Sequence, residues 1–405
     1  MHKEHSPSSQ PAASEAAAGR SPFTVPPSLV RARLAVLSIF FVNGAALGIW
    51  VPHIPIVQSR LELGPAALGL ALLGVGAGSL IGMPTAGVLV SRFGSRVVAT
   101  AGALVFPLLV AVPVLAPGFP VLAAGLFLFG LGNGVLDVAM NAHAVGVERR
   151  YRRSIMTSFH AAWSVGGLAG AMASGPAIER IPSPGFRLTV LILPLLIAAV
   201  WGYCRLLRDL ADHGSSTATI ARPRKALLGL GLVAMLALIG EGAMADWSTV
   251  YLYGEIGAGS TVAAAGYAAF ALAMAIGRIG GDTAIRRVGR RTVLVWSARL
   301  GAAGMALALL IPHPAVVLAG FALVGLGAAN VIPILFTTAG QISPDAPGKS
   351  IAAVAGLGYI GLLSGPLLIG STAEALTLPA GLSLVAIAYL FVSFGASVVR
   401  GLSER

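Results

Sequence analysis

Apolar residues fill this 405-residue chain in long blocks, separated by short connectors rich in Gly, Pro and Arg. A helix needs about 20 mostly apolar residues to cross roughly 30 Å of hydrocarbon. Measured against that length, the pattern predicts twelve membrane-spanning segments. They lie at 34–57, 65–91, 97–115, 119–147, 154–178, 187–204, 226–253, 261–285, 292–311, 315–341, 351–373 and 379–399. Several exceed the minimum, so their ends are expected to tilt or to project past the membrane. Two long polar stretches interrupt the pattern, a tail at 1–32 and a linker at 205–225. The tail, rich in Pro, Ser and Ala, lacks the apolar content to bury a core and is expected to be disordered. No apolar run follows a short basic start, so no cleavable signal peptide is expected.

Composition narrows the class. Hydrophobic residues make up 56% of the chain and charged residues only 10%, against roughly 25% charged in average soluble domains. An ordinary soluble enzyme, a disordered protein and a secreted disulfide scaffold are all poor readings. A lone cysteine, Cys204, excludes an intrachain disulfide and an all-cysteine zinc site. No metal is expected, because no His, Cys and acid cluster has metal-site spacing. No phosphate-binding GxxxxGK[ST] loop is present, so neither ATP nor any other cofactor is expected.

The pI of 10.8 and net charge of +12 raise the possibility of nucleic acid, but the placement of the charge answers it. With the N-terminus inside, 22 of the 27 Lys and Arg fall on one face. Only Arg60, Arg180 and Arg187 fall on the other, while Arg278 and Arg299 lie within spans. Such a bias follows the positive-inside rule and predicts both termini in the cytoplasm. No nucleic-acid partner is needed, and the basic face suits anionic lipid.

The two halves of the chain repeat at an offset of 195. Arg92-Phe93-Gly94-Ser95-Arg96 aligns with Arg287-Val288-Gly289-Arg290-Arg291, and Gly130-Leu131-Gly132 with Gly325-Leu326-Gly327. Gly166, Gly170 and Gly175 align with Gly361, Gly365 and Gly370. One register serves segments 2–5 and 8–11, while segments 1 and 7 need a small gap. The expected architecture is an all-α membrane protein of two six-helix bundles, 33–204 and 226–400, joined by 205–225 and closed by a short tail at 401–405. Repeats with an even number of spans share one orientation and enclose a site between them near the midplane.

Gly87-x-x-x-Ser91-Arg92-Phe93-Gly94-x-Arg96, in the 2–3 loop, resembles the loop signature of the major facilitator superfamily, and the likeness spans residues 33–400. Ser91 stands where that signature usually has an acid. The second copy, at 282–291, has Asp282 for the leading glycine and Arg286 for the acid. A finer likeness links the chain to the bacterial branch of rhizopine-associated, Mos-type membrane proteins. It rests on Asp137-Val138-Ala139-Met140-Asn141, Ser158-Phe159-His160-x-x-Trp163-Ser164-x-Gly166-Gly167, Glu241-Gly242-x-x-x-Asp246-Trp247-Ser248 and Gly361-x-x-x-Gly365-Pro366. The resemblance implies a secondary transporter for a small polar solute, with segments 1, 4, 7 and 10 lining its cavity. The antiporter signature of segment 5 is poorly matched, because Gly175-Pro176 is followed by Glu179-Arg180 where a glycine pair is expected.

Each ionisable group inside hydrocarbon costs at least about 2.5–3.5 kcal/mol and needs a reason. Asn133, Asp137 and Asn141 recur every four residues, so they share one face of segment 4. Asp137 then either serves solute or proton or forms a polar lock between helices. Glu241, mid-span in segment 7, carries the same pair of readings. Asp246 lies five residues on, about 140° around the helix, and is expected at a gate or helix end, because the two carboxyls should not face one spot. His160 and Ser164, with Trp163 beside them, form a polar group on segment 5, either contacting solute or satisfied in the core. Asn43 and Asn330 offer uncharged donors and acceptors to a hydroxylated solute, or tie helices together. Arg278, Arg299 and Arg92 are expected in structural roles near the basic face, with Arg278 paired to Asp282 one turn away.

The resulting expectation is a monomeric secondary transporter working by alternating access, with a sugar-like, polyol or amino-polyol solute and the proton as coupling ion. A broad-specificity drug/proton antiporter of the same fold is the alternative, disfavoured by 7% aromatic content and few expected mid-span aromatics. A sensor would need more than a 21-residue linker for a folded domain. A membrane enzyme would need a nucleophile and base that are missing.

Overall fold

The computed structural model describes residues 25–152, 155–208, 225–342 and 347–396. The first half comprises α1 (Pro27–Arg60), α2 (Pro65–Phe93), α3 (Ser95–Leu109), α4 (Ala111–Val114), α5 (Phe119–Tyr151), α6 (Met156–Arg180) and α7 (Pro184–Tyr203). The second comprises α8 (Lys225–Val250), extended by a π turn over Tyr251–Glu255, then α9 (Ser260–Val288), α10 (Arg290–Leu310), α11 (Pro314–Ala328), α12 (Val331–Ile342), α13 (Pro347–Ala375) and α14 (Leu378–Gly395). The pairs α3/α4 and α11/α12 each make one broken span, which gives six spans per half.

Eleven of the helical spans among the described residues are long and apolar enough to cross a membrane. The twelfth, α6, is 25 residues long but carries His160, Trp163 and four serines in the segment expected to span. Hydrocarbon accounts for the all-helical outcome, since only intrahelical bonds satisfy a backbone that has no water to pair with. Proline stands at N1 or N2 of α1, α2, α5, α7, α11 and α14, where its missing N–H is not needed. This also moves one expected boundary. Pro27 starts α1 six residues before the expected bundle limit of 33. The remainder of the expected tail, 1–24, the linker residues 209–224 and the C-terminal 397–405 lie outside the described residues.

The 195-residue register extends to element ends. Helix α2 starts at 65 and α9 at 260, α3 at 95 and α10 at 290, and α5 at 119 and α11 at 314. The hinge glycines agree in conformation as well: Gly94 has φ 79° and ψ 150°, and Gly289 has φ 82° and ψ 155°. Both occupy left-handed backbone that favours glycine. The segments that needed a gap in sequence, α1 and α8, end 195 apart as well, at Arg60 and at Glu255 of the π turn.

Small residues set how closely the helices approach. A Cβ placed on Gly44 would strike the carbonyl oxygen of Trp163, and one on Gly48 that of Gly167, so α1 and α6 pack backbone against backbone. Gly78 and Gly130 do the same for α2 and α5. Without a hydrophobic drive between helices in lipid, such close packing carries much of the association. Arg187, counted from sequence on the far face, is buried at 4% exposure. Its Nε donates to His53 Nε2 at 3.2 Å and its Nη1 to the Ile181 carbonyl at 3.0 Å. The helix that starts at Pro184 carries it inward, where the imidazole and the carbonyl desolvate its charge less harshly than lipid would.

Replacing Gly44 by Val should lower the melting temperature of detergent-purified protein, with a stability loss of about 1–3 kcal/mol from overpacking. Gly185, where an added methyl group would meet nothing within 4 Å, should accept Ala with an unchanged melting curve.

Candidate functional site

The α1–α6 contact that the glycines permit brings Trp163 to Asn43. The Trp163 indole Nε1 donates to Asn43 Oδ1 at 2.7 Å, and Asn43 Nδ2 donates to Asn133 Oδ1 at 3.1 Å. Asn43 is buried at 1% exposure, with both ends of its amide engaged, so it orients two neighbours and does not itself line the cavity. Asn133 and Trp163 do line it. Farther along α5, Asn141 Nδ2 donates to the Asp137 carbonyl at 2.9 Å and to Asp137 Oδ1 at 3.2 Å. The expected polar stripe on α5 therefore forms, but Asp137 and Asn141 sit beyond the cavity wall rather than in it. Tyr359 of α13, which is in the wall, lies within electrostatic reach of both Asp137 and Glu241.

The second half supplies the charge. Glu241 Oε1 lies 3.9 Å from Arg278 Nη2. The partner expected for Arg278 was Asp282, whose side chain lies outside the described residues. The structure turns the guanidinium inward instead of toward the basic face, and a break in a neighbouring span explains why. Pro333 has no N–H to give the Ala329 carbonyl four residues earlier, and α11 and α12 part at Ala329-Asn330. The orphaned Ala329 carbonyl accepts from Arg278 Nε at 3.4 Å. Asn330 belongs to the same repair: its Nδ2 donates to the Gly277 carbonyl at 3.1 Å, and it does not line the cavity as expected.

Asp246 was expected at a gate or a helix end, pointing away from Glu241. It lines the same cavity as Glu241 although the two lie 140° apart on α8. Gly242 and Ala245 occupy the arc between them and line the cavity too, so the opening wraps the helix across residues too small to divide it. His160 is exposed one turn from the cavity residue Ser164, whose Oγ donates to the His160 carbonyl at 3.1 Å. The imidazole meets the Phe40 ring edge-on at 5.4 Å and lies within reach of the Arg278 charge. Arg299 stacks over Trp296 at 5.3 Å and Arg92 over Phe93 at 5.3 Å. Both aromatic rings are exposed.

Of these groups, Asn133, Trp163, Ser164, Glu241, Asp246 and Arg278 line a cavity of about 300 Å³ between the halves, fed by α1, α2, α5 and α6 on one side and by α8, α9 and α13 on the other. Its wall holds six aromatic residues, Trp50, Phe129, Trp163, Tyr267, Phe270 and Tyr359. Few mid-span aromatics were expected from sequence, because low overall content hides convergence from separate helices. Trp50 is 4% exposed, and its indole N–H has no acceptor among the described residues. Hydrogen bonds tie the halves together at the end remote from the basic loops: Thr249 Oγ1 donates to the Val51 carbonyl at 3.0 Å, and Glu179 and Glu374 each bridge to the opposite half. The cavity is sealed there. It reaches solvent toward the basic end, past the half-exposed Arg278 and Tyr359.

Comparison with known proteins gives one consistent answer. Residues 36–366 match the Major Facilitator Superfamily. The chain is 35% identical over 364 residues to an uncharacterized MFS-type transporter of Yersinia pestis, covering 89% of this chain and 94% of the relative. It is 37% identical over 348 residues to the membrane protein MosC of Rhizobium meliloti, covering 85% and 84%. Among solved structures, a bacterial homolog of the human lysosomal transporter Spinster in an inward-facing, unoccupied conformation shares the fold. It superposes with TM-score 0.77 at 13% identity, over 94% of this chain and 99% of that one. The nucleoside transporter NupG gives TM-score 0.67 at 11% identity, over 94% and 99%. By family match and by relatives along most of its length, the chain belongs to the major facilitator superfamily.

Proposed function

We propose that the protein is a monomeric secondary active transporter of the bacterial inner membrane that moves a small polar solute by alternating access, with the proton as coupling ion. The observation that carries this reading is the cavity between two duplicated halves, closed at one end and reaching solvent at the other, with Glu241, Arg278 and Asp246 in its wall. Charges buried in hydrocarbon are expensive and mark solute or proton paths. Placing the arginine-rich loops in the cytoplasm makes the described state inward-facing and sets both termini inside. The Trp163–Asn43–Asn133 chain holds an indole and an amide in fixed orientation, and Trp50 contributes a buried N–H donor. Together they suit a sugar-like, polyol or amino-polyol solute, with hydroxyls for the donors and an apolar ring face for the indoles. Glu241 and Asp137 are the proposed proton carriers. Arg278, 3.9 Å from Glu241, is the cation whose hold on that carboxylate would change as a proton or solute arrives.

A second reading draws on the six aromatic residues in the wall: a drug/proton antiporter whose cavity takes lipophilic cations against ring faces and carboxylates. Thermal-shift screening separates the two, because a ligand that binds the native state raises its melting point by mass action. A polyol, sugar and amino-polyol panel should stabilise the protein and lipophilic cations should not; the reverse result selects the antiporter.

In proteoliposomes with an imposed pH gradient, Asp137→Asn and Glu241→Gln should each abolish solute accumulation while leaving passive exchange. Retained accumulation in both would remove them as coupling groups. Trp163→Phe deletes the donor to Asn43 and should weaken half-saturation about fivefold, the worth of one hydrogen bond of about 1 kcal/mol, with the maximal rate little changed.

A further inference from the structure

The residues that broke the antiporter signature, Glu179-Arg180, reappear at the sealed end in an unforeseen role. Glu179 lies one residue from the end of α6, in the first half. Its Oε1 accepts from the Thr261 backbone N–H at 2.9 Å and its Oε2 from Thr261 Oγ1 at 2.8 Å. Thr261 is the second residue of α9, in the other half, and the N-cap position of α9 is Gly259, which has no side chain to offer. The same contact occurs in mirror sense. Glu374, one residue from the end of α13 in the second half, accepts from the Ala66 N–H at 3.3 Å through Oε2. Ala66 is the second residue of α2, whose N-cap is Gly64.

All three members of each set are separated by the repeat offset: 64 and 259, 66 and 261, 179 and 374. The exchange is reciprocal, since each half supplies the carboxylate that caps a helix of the other. The cap glycines make room for it. A Cβ on Gly64 would lie 2.5 Å from Glu374 Oε2, and one on Gly259 would lie 2.9 Å from Glu179 Oε1. The first backbone amides of a helix carry partial positive charge and lack partners within the helix. A carboxylate from across the interface therefore satisfies donors that no local side chain can reach. Just below, Gly175 packs against Ser260 and Thr261, and Gly370 against Pro65 and Gly69. The helices touch along their backbones at this end, so the halves cannot part there while both contacts hold.

We infer that Glu179 and Glu374 form a reciprocal clasp that latches the far end of the cavity shut, and that its release is required for the cavity to open there. The inference concerns the equilibrium between conformations and rests on the alternating-access reading only in supposing that the far end opens at all. Both carboxylates are exposed, so water can replace either contact without burying a bare charge. The clasp is reversible for that reason, and two such contacts in parallel hold where one would not.

The test needs no solute. In a Cys204→Ser background, spin labels at Gly185→Cys and Gly254→Cys sit at the far end of opposite halves, at positions where a Cβ meets nothing within 4 Å. Their separation, measured by pulsed electron resonance in lipid nanodiscs, reports closure directly. Glu179→Ala with Glu374→Ala should move population to a longer distance, by roughly fivefold for each cap lost at its typical strength. Either single variant should have a smaller effect, and Glu→Gln at both sites should fall between the Ala variant and wild type. An unchanged distance distribution in the folded double Ala variant would overturn the clasp.

A local rescue separates latching from helix capping. Adding Gly64→Ser and Gly259→Ser to the double Ala variant gives each helix its own cap. It should restore the melting temperature while the longer distance persists. If the closed distance returns as well, the carboxylates only start helices and the clasp is refuted. Should the double Ala variant fail to fold, the Gln pair carries the same comparison, and a wild-type distance in it would likewise overturn the proposal. Either failure leaves the transport reading standing, because solute binding and gradient-driven accumulation are measured separately.

Discussion

Hydrocarbon cannot solvate a polar group, and the rest of the structure follows from that constraint. It forces every spanning backbone into helix. It also removes the usual drive for helices to associate, so close approach through glycine takes over. The carboxylates, amides and guanidinium proposed to serve transport must then turn away from lipid, toward the space between the two halves, as Glu241 and Arg278 do, or toward partners within one half, as Asn43 and Asn330 do. The spine Trp163–Asn43–Asn133 depends on both effects at once. The amide of Asn43 would have no partner in hydrocarbon, and the indole would not reach it without Gly44 and Gly48 beneath.

Duplication distributes the work unevenly. The two halves keep one register in their helix ends and hinge glycines, but their cavity faces have diverged. The first half presents hydrogen-bonding neutral groups, Asn133 and Trp163. The second presents the charged ones, Glu241, Asp246 and Arg278. In the proposed function, a site at the boundary of such a pair would meet a solute with hydrogen-bonding groups from one side and charge from the other. The proposed transport cycle draws on that asymmetry, while the shared scaffold supplies equivalent surfaces for the halves to rock against.

Much of this was legible along the chain. Span number, repeat offset and charge bias depend on local hydropathy and on residue spacing, which need no tertiary information. The α5 stripe was legible for the same reason, since a four-residue recurrence fixes a helix face. Three-dimensional context decided the rest. Arg278 read as a snorkelling residue because its distance along α9 from the basic face is short. What turns it inward is a carbonyl freed by Pro333, more than fifty positions away. Asp246 read as divided from Glu241 by helix geometry, yet Gly242 and Ala245 leave the arc between them empty, and sequence spacing does not reveal the width of a cavity. Asn330 had the right composition for a solute contact but is consumed in mending the break beside it. Glu179 registered only as a departure from a signature. Its partner, Thr261, became visible once the two bundles were placed together.

The tether on Arg278 bears on the electrical character of the proposed cycle. Its Nε is held by the Ala329 backbone while a terminal nitrogen faces Glu241. A guanidinium moored in that way can swap acidic neighbours by swivelling, without travelling along the membrane normal. The fixed positive charge then contributes no displacement current of its own. In the proposed cycle, whatever current accompanies each turnover is then set by the valence of the cargo and by any protons that cross with it or against it.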